Sequence, residues 1–104
     1  MSRGSELFIK QQRFAMNFAN LINYAIEQGY QITFPPEHEN HIKKSLHYIG
    51  LARDINLFRN NIYLTKTSDY EKLGIYWESM GGTWGGRFKN RDGCHFSIEY
   101  KGVK

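Results

Sequence analysis

Between Leu7 and Ile26 the apolar side chains return at intervals of seven, four and three. Leu7, Phe14, Phe18, Leu21 and Ala25 form the stripe, and Ile22 and Ile26 widen it. That period belongs to a helix with one buried face and predicts a helix over residues 6–28. Gly29 supplies its stop. Tyr30 to Phe34 alternates apolar and polar as a short strand does, and Pro35-Pro36 ends it. Residues 37–46 are polar and read as a loop or one short helix. Asp54 to Phe58 predicts a strand opened by Asp54, with Ile55 and Leu57 on one face and Asp54 and Asn56 on the other. Arg59-Asn60-Asn61 has turn chemistry, and Ile62 to Leu64 pairs back as a hairpin. Ser68-x-x-Glu71 has capping-box spacing. It predicts a second helix with Tyr70, Leu73, Trp77 and Met80 on one face, closed by Gly81-Gly82. His95 to Tyr100 alternates again, with Phe96, Ile98 and Tyr100 on one face and His95, Ser97 and Glu99 on the other. Helices and strands mix without regular alternation, so the expected class is α+β, with an antiparallel sheet packed against helices.

The chain has 104 residues, 40% of them hydrophobic and 15% aromatic. This suits one globular domain spanning 1–104, with its core over about 6–100. No stretch of 18 apolar residues exists, so no membrane span is expected. Cys94 is the only cysteine, which excludes a disulfide within the chain. A net charge of +4 suits anionic partners. The basic residues are scattered, however, with no run longer than Lys43-Lys44, and no nucleic-acid motif is present. A mildly basic surface and no nucleic-acid partner are therefore expected. Met1 to Glu6 lacks the apolar run of a signal peptide, so the expected place of synthesis is the cytoplasm, and the expected state is a monomer.

Candidate chemistry sits in two short stretches. His47 and Asp54 are seven residues apart, a spacing that neither regular element makes adjacent: about 10 Å on a helix and about 23 Å on a strand. They meet only if the chain reverses between them, and Gly50 allows that. Asp54 and His95 each fall on the polar face of a predicted strand, so neighbouring strands would project both to one side. A His-Asp-His set suits Zn²⁺ and leaves a fourth position open. Each of these residues also has an ordinary structural reading. Asp92, three residues before His95, could move protons beside such an ion, or simply serve the turn Asn90-Arg91-Asp92-Gly93. Cys94 alternates to the Phe96 face and reads as a half-buried thiol. His38 and His41 read as part of a solvated loop, Trp77 as core, and Trp84, set between glycines, as a ring lining a cleft.

Ser45-x-His47-x-x-Gly50-x-Ala52-x-Asp54 with the later Asp92-x-x-His95-Phe96 resembles the zinc peptidases that cut bacterial peptidoglycan stem peptides. These include D-alanyl-D-alanine carboxypeptidases and the L-alanyl-D-glutamate endopeptidases of phage endolysins. Tyr76-Trp77-Glu78 and Gly81 to Phe88 look like the endolysin branch, and the resemblance covers roughly residues 14–100. It implies a small α+β domain with a zinc site in a cleft on the sheet, and a peptidoglycan peptide as substrate. His47, Asp54 and His95 match the zinc ligands, Asp92 the catalytic acid, and Ser45 a serine near the substrate. Relatives usually carry an arginine upstream of the Ser-x-His motif. None occurs between Gln31 and Leu46 here. Losing such a donor costs about 10²–10³ in rate, so the alternative is a weak or inactive wall-binding module on the same fold. Arg53, Arg87, His41 and Lys43 are the candidate replacements, Arg87 being taken with Trp84 as substrate-binding. Without a signal peptide, such a protein acts on the wall only after release.

Overall fold

Phe14, Leu21 and Ala25 turn inward from a 23-residue helix, α1 (Ser5–Glu27), as their spacing predicts. The computed structural model describes residues 5–36 and 45–104; His38, His41, Lys43 and most of the stretch read as loop or short helix lie outside them. Leu7, Phe18 and Ile22 pack at the edge of the stripe, but Ile26 is exposed and does not widen it. Gly29 ends the helix with φ +91°, a backbone that a side chain would resist.

Among the described residues the strands form two antiparallel sheets of three. One contains β1 (Gln31–Thr33), β3 (Asn56–Arg59) and β4 (Ile62–Leu64), in the order β1-β3-β4. Asn60 and Asn61, at φ 52° and 66°, make the tight β3–β4 turn expected there. The other sheet contains β2 (Ala52–Asp54), β5 (Thr83–Trp84) and β6 (His95–Ser97), in the order β2-β6-β5. The continuous strand expected from Asp54 to Phe58 is therefore corrected. Asp54 closes β2, and β3 starts at Asn56 in the other sheet. Ile55 makes the crossing, fully buried, with its N–H donating to the Cys94 carbonyl at 3.0 Å. The burial alternation survives the break, which is why the sequence pattern runs through it.

The second helix, α2 (Glu71–Ser79), follows a 3₁₀ turn at Thr67–Tyr70. The capping box expected at Ser68 and Glu71 does not form. Asp69 instead accepts the Lys66 N–H at 3.0 Å, and α2 begins only at Glu71. Tyr70, Leu73 and Trp77 are buried as predicted. Burial also pushes the Tyr70 hydroxyl pKa up to about 12. That neutral hydroxyl accepts the Leu57 N–H and donates to the Leu64 carbonyl, both at 3.1 Å, and so ties the hairpin to the turn.

Trp77 sits where α1, α2 and the second sheet meet. It contacts Phe14, Phe18 and Phe96 edge to face, with ring centroids 5.6–6.2 Å apart. β6, the central strand of that sheet, is buried on both faces: His95 is 7% and Ser97 0% exposed on one, and Phe96 is 0% exposed on the other. The expected extension of this strand to Tyr100 does not occur; Tyr100 pairs with Val103 instead. No helix among the described residues is long and apolar enough to cross a membrane.

Candidate metal centre

His47 rides on a tight reversal between two buried anchors, Leu46 and Leu51. The Leu51 N–H closes the loop onto the Leu46 carbonyl at 2.8 Å, and Gly50 turns the chain at φ +75°. The Ser45 hydroxyl accepts the His47 N–H at 3.2 Å, and Gln11 of α1 donates its side-chain amide to the Ile49 carbonyl at 2.8 Å. The loop is thus fixed to the long helix. Asp54 and His95 stand directly opposite each other in the β2–β6 register, so both project from one face of the sheet.

These elements bring three ligand atoms together. His47 Nε2 lies 3.5 Å from Asp54 Oδ1 and 3.3 Å from His95 Nδ1, and His95 Nδ1 lies 3.8 Å from Asp54 Oδ1. A point equidistant from atoms so separated is about 2 Å from each, which is the Zn–N and Zn–O bond length. Two imidazoles and one carboxylate are also suitable donors for that ion. By spacing and by chemistry the residues fit zinc. Burial, reinforced by the neighbouring His47, pulls the His95 pKa down to about 4. Its imidazole is therefore neutral near pH 7, the form that binds a metal.

Two indoles clamp the strand that carries His95. Trp84 Nε1 donates to the Gly93 carbonyl at 2.7 Å, and Trp77 Nε1 donates to the Ser97 carbonyl at 2.9 Å. Gly85 completes the support. Its carbonyl accepts the Asp92 N–H at 2.9 Å, and a methyl group at 85 would overlap the Asp92 carbonyl oxygen. The Asp92–His95 turn closes with His95 N–H donating to the Asp92 carbonyl at 3.1 Å. Asp92 is exposed, with a carboxylate oxygen within 4.8 Å of ligand atoms of both Asp54 and Cys94. The half-buried Cys94 thiol donates to Asp92 Oδ1 at 3.1 Å. Burial, with help from Asp92, pushes its pKa up to about 12, so Cys94 remains a protonated donor.

Trp84 is only 2% exposed and braces Gly93 from within the core, and it also lines a polar cavity. Its indole fills space left by Gly74 and Gly86, either of which would clash with it if given a side chain. Arg87 is half-exposed and held by Glu78 through two hydrogen bonds of 3.1 Å, with Glu71 at 3.9 Å. Arg87 also lines a cavity together with Trp84. Arg53 projects from the strand face opposite Asp54 and lies 5.2 Å from the Phe34 ring centroid. One residue stayed hidden in the turn chemistry of Asn90 to Gly93. Arg91 lines a cavity of about 180 Å³ together with Asp92 and Cys94.

A family model described as D-alanyl-D-alanine carboxypeptidase matches residues 39–98. Among solved structures, the L-Ala D-Glu endopeptidase ChiX of Serratia marcescens shares the fold, with a TM-score of 0.62 at 16% identity. That likeness covers 96% of this chain and 89% of the other. No curated protein sequence matches the chain.

Proposed function

Because this chain belongs to the D-alanyl-D-alanine carboxypeptidase family, whose model spans more than half of it, we propose that it is a zinc-dependent peptidase of bacterial peptidoglycan stem peptides. The scissile bond is a D-Ala-D-Ala or an L-Ala-D-Glu linkage. The observation that carries this reading is the triangle of His47 Nε2, Asp54 Oδ1 and His95 Nδ1, 3.3–3.8 Å on a side, with the Asp92 carboxylate beside it.

Zinc held by these three residues supplies a Lewis acid for the scissile carbonyl and raises the acidity of water. The remaining chemistry falls to the chain. Asp92 takes a proton from the attacking water at its carboxylate and returns it to the amine that leaves. The Cys94 thiol, donating to Oδ1, leaves Oδ2 as the oxygen available for that proton. Ser45 acts on the site through the His47 backbone, holding the turn that presents the imidazole.

The test is metal analysis followed by digestion of purified peptidoglycan, with and without chelator, products being identified by mass spectrometry. The wild type should carry one zinc per chain and release peptides that identify the bond. Asp92→Asn should keep the zinc and lose about 10²–10⁴ in kcat. A protein with stoichiometric zinc that releases no peptide would refute the enzyme reading and leave a wall-binding module on the same fold.

A further inference from the structure

A second cavity adjoins the one that holds Asp92, and its role rests on that peptidase reading. Thr67, Ser68 and Glu71 on one side and Trp84, residues 86–89 and Arg91 on the other line a polar cavity of about 520 Å³. Thr67 and Ser68 stand on one part of its wall, and Arg87, Lys89 and Arg91 on another, with Glu71 as the single acid. Thr67 and Arg91 also line the smaller cavity that holds Asp92 and Cys94, so the two spaces are neighbours sharing a wall.

The charges in this cavity are not balanced. Arg87 is offset by its paired hydrogen bonds to Glu78 and by Glu71. Lys89 and Arg91 form no ion pair among the described residues. Two uncompensated cations and two hydroxyls make a site for an anion with several acceptor oxygens, and a carboxylate matches the guanidinium fork. The exposed Asp92 carboxylate repels the same anion from the smaller cavity. An acidic peptide therefore settles with its carboxylate on the basic side and its neighbouring bond toward Asp92. We propose that this cavity is a carboxylate subsite, in which Arg91 and Lys89 hold an acidic group of the substrate peptide and so set which bond lies at Asp92.

The probe is the stem pentapeptide L-Ala-D-Glu-L-Lys-D-Ala-D-Ala with free carboxyl groups, compared with the same peptide amidated at both. Each is titrated into isotope-labelled, zinc-loaded protein and followed by the backbone signals of Ser68, Gly86, Lys89 and Arg91. The acid should shift these signals and bind roughly 10–100-fold more tightly than the amide. Lys89→Gln with Arg91→Gln should remove that preference, and the charge-retaining pair Lys89→Arg with Arg91→Lys should restore most of it. Equal binding of acid and amide, no shift at these positions, or a preference that survives the double glutamine variant would each overturn the proposal. So would displacement of these signals by inorganic phosphate without any acid-over-amide preference, which would mark a site for wall phosphate. An acid preference in a protein that cleaves nothing supports the subsite and refutes the peptidase reading. Cleavage without preference does the reverse.

Discussion

β6 is only three residues long yet buried at every position, whereas the equally short β4 leaves Ile62 66% and Tyr63 51% exposed. The same contrast extends to their sheets. β2-β6-β5 packs against α2 through β5, and indole hydrogen bonds at Gly93 and Ser97 hold its central strand and the turn that leads into it. β1-β3-β4 touches the core through Leu57, Ile32 and Leu64, and leaves Ile62 and Tyr63 in solvent. A ligand atom must be held to within a few tenths of an ångström to share an ion, and a strand packed on both faces provides that. A hairpin open on one side does not. The difference puts two of the three candidate ligands, Asp54 and His95, on one sheet and leaves the other as scaffold.

The sharpest test of this division removes a ligand from the packed sheet. His95→Ala should abolish stoichiometric zinc and all peptide release, a loss exceeding the roughly 10–100-fold cost of losing a neighbour that merely hydrogen-bonds a ligand. Metal content after dialysis and peptidoglycan digestion read both effects. Retention of zinc by this variant would show that the ion sits elsewhere.

Next comes the clamp. Trp84→Ala removes a ring that fits between Gly74 and Gly86 and frees the Gly93 carbonyl. It should cost about 3–5 kcal/mol in denaturant unfolding. Trp84→Phe keeps most of the ring and loses the N–H, leaving a buried acceptor unpaired at a cost of about 1–3 kcal/mol. Zinc affinity should fall in both variants, because Gly93 leads directly into His95. Normal affinity in a destabilised Trp84→Phe would show that the clamp serves the core alone.

Acid gives a smaller and more gradual effect. With zinc removed, the unfolded chain binds a proton at His95 near the ordinary value of 6.5, while in the fold burial holds the pKa near 4. Between those values the unfolded state carries more protons, so stability rises with pH through this window and is lost as pH falls toward 4. The shift corresponds to roughly 3 kcal/mol. Chemical unfolding of the chelated protein at pH 4 and pH 7 should show this slope, and His95→Gln should flatten it. An unchanged slope in that variant would move the acid sensitivity to another group.

Much of this architecture is legible in the sequence, because local chemistry and burial agree there. The apolar stripe and Gly29 bound α1, and Asn60-Asn61 mark the hairpin. Polar residues at the ends of two alternating segments foreshadow the pairing of Asp54 with His95. Hidden features arise where two environments give one pattern. Ile55 and Leu57 are both buried, so alternation continues through the point where the chain changes sheets. Glycines around Trp84 look like an open loop, yet the missing side chains of Gly86 and of Gly74 on α2 are what admit the indole to the core. Asn90 to Gly93 has ordinary turn chemistry, and nothing local shows that Arg91 would share a cavity wall with Thr67, 24 positions earlier.

The smallest expected effect belongs to the open sheet. Ile62 opens β4 opposite Arg59, with its side chain largely in water. Replacing it with threonine keeps the branched carbon that suits an extended backbone and exchanges an exposed ethyl group for a hydroxyl that water can satisfy. No buried group loses a partner, so Ile62→Thr should change unfolding free energy by no more than about 0.5 kcal/mol. Zinc content and peptide release should match the wild type, since Tyr70, not Ile62, ties this hairpin to the turn beside α2. A drop in zinc affinity would mean that strain in β4 reaches the ligands, and the two sheets would then have to be treated as one mechanical unit.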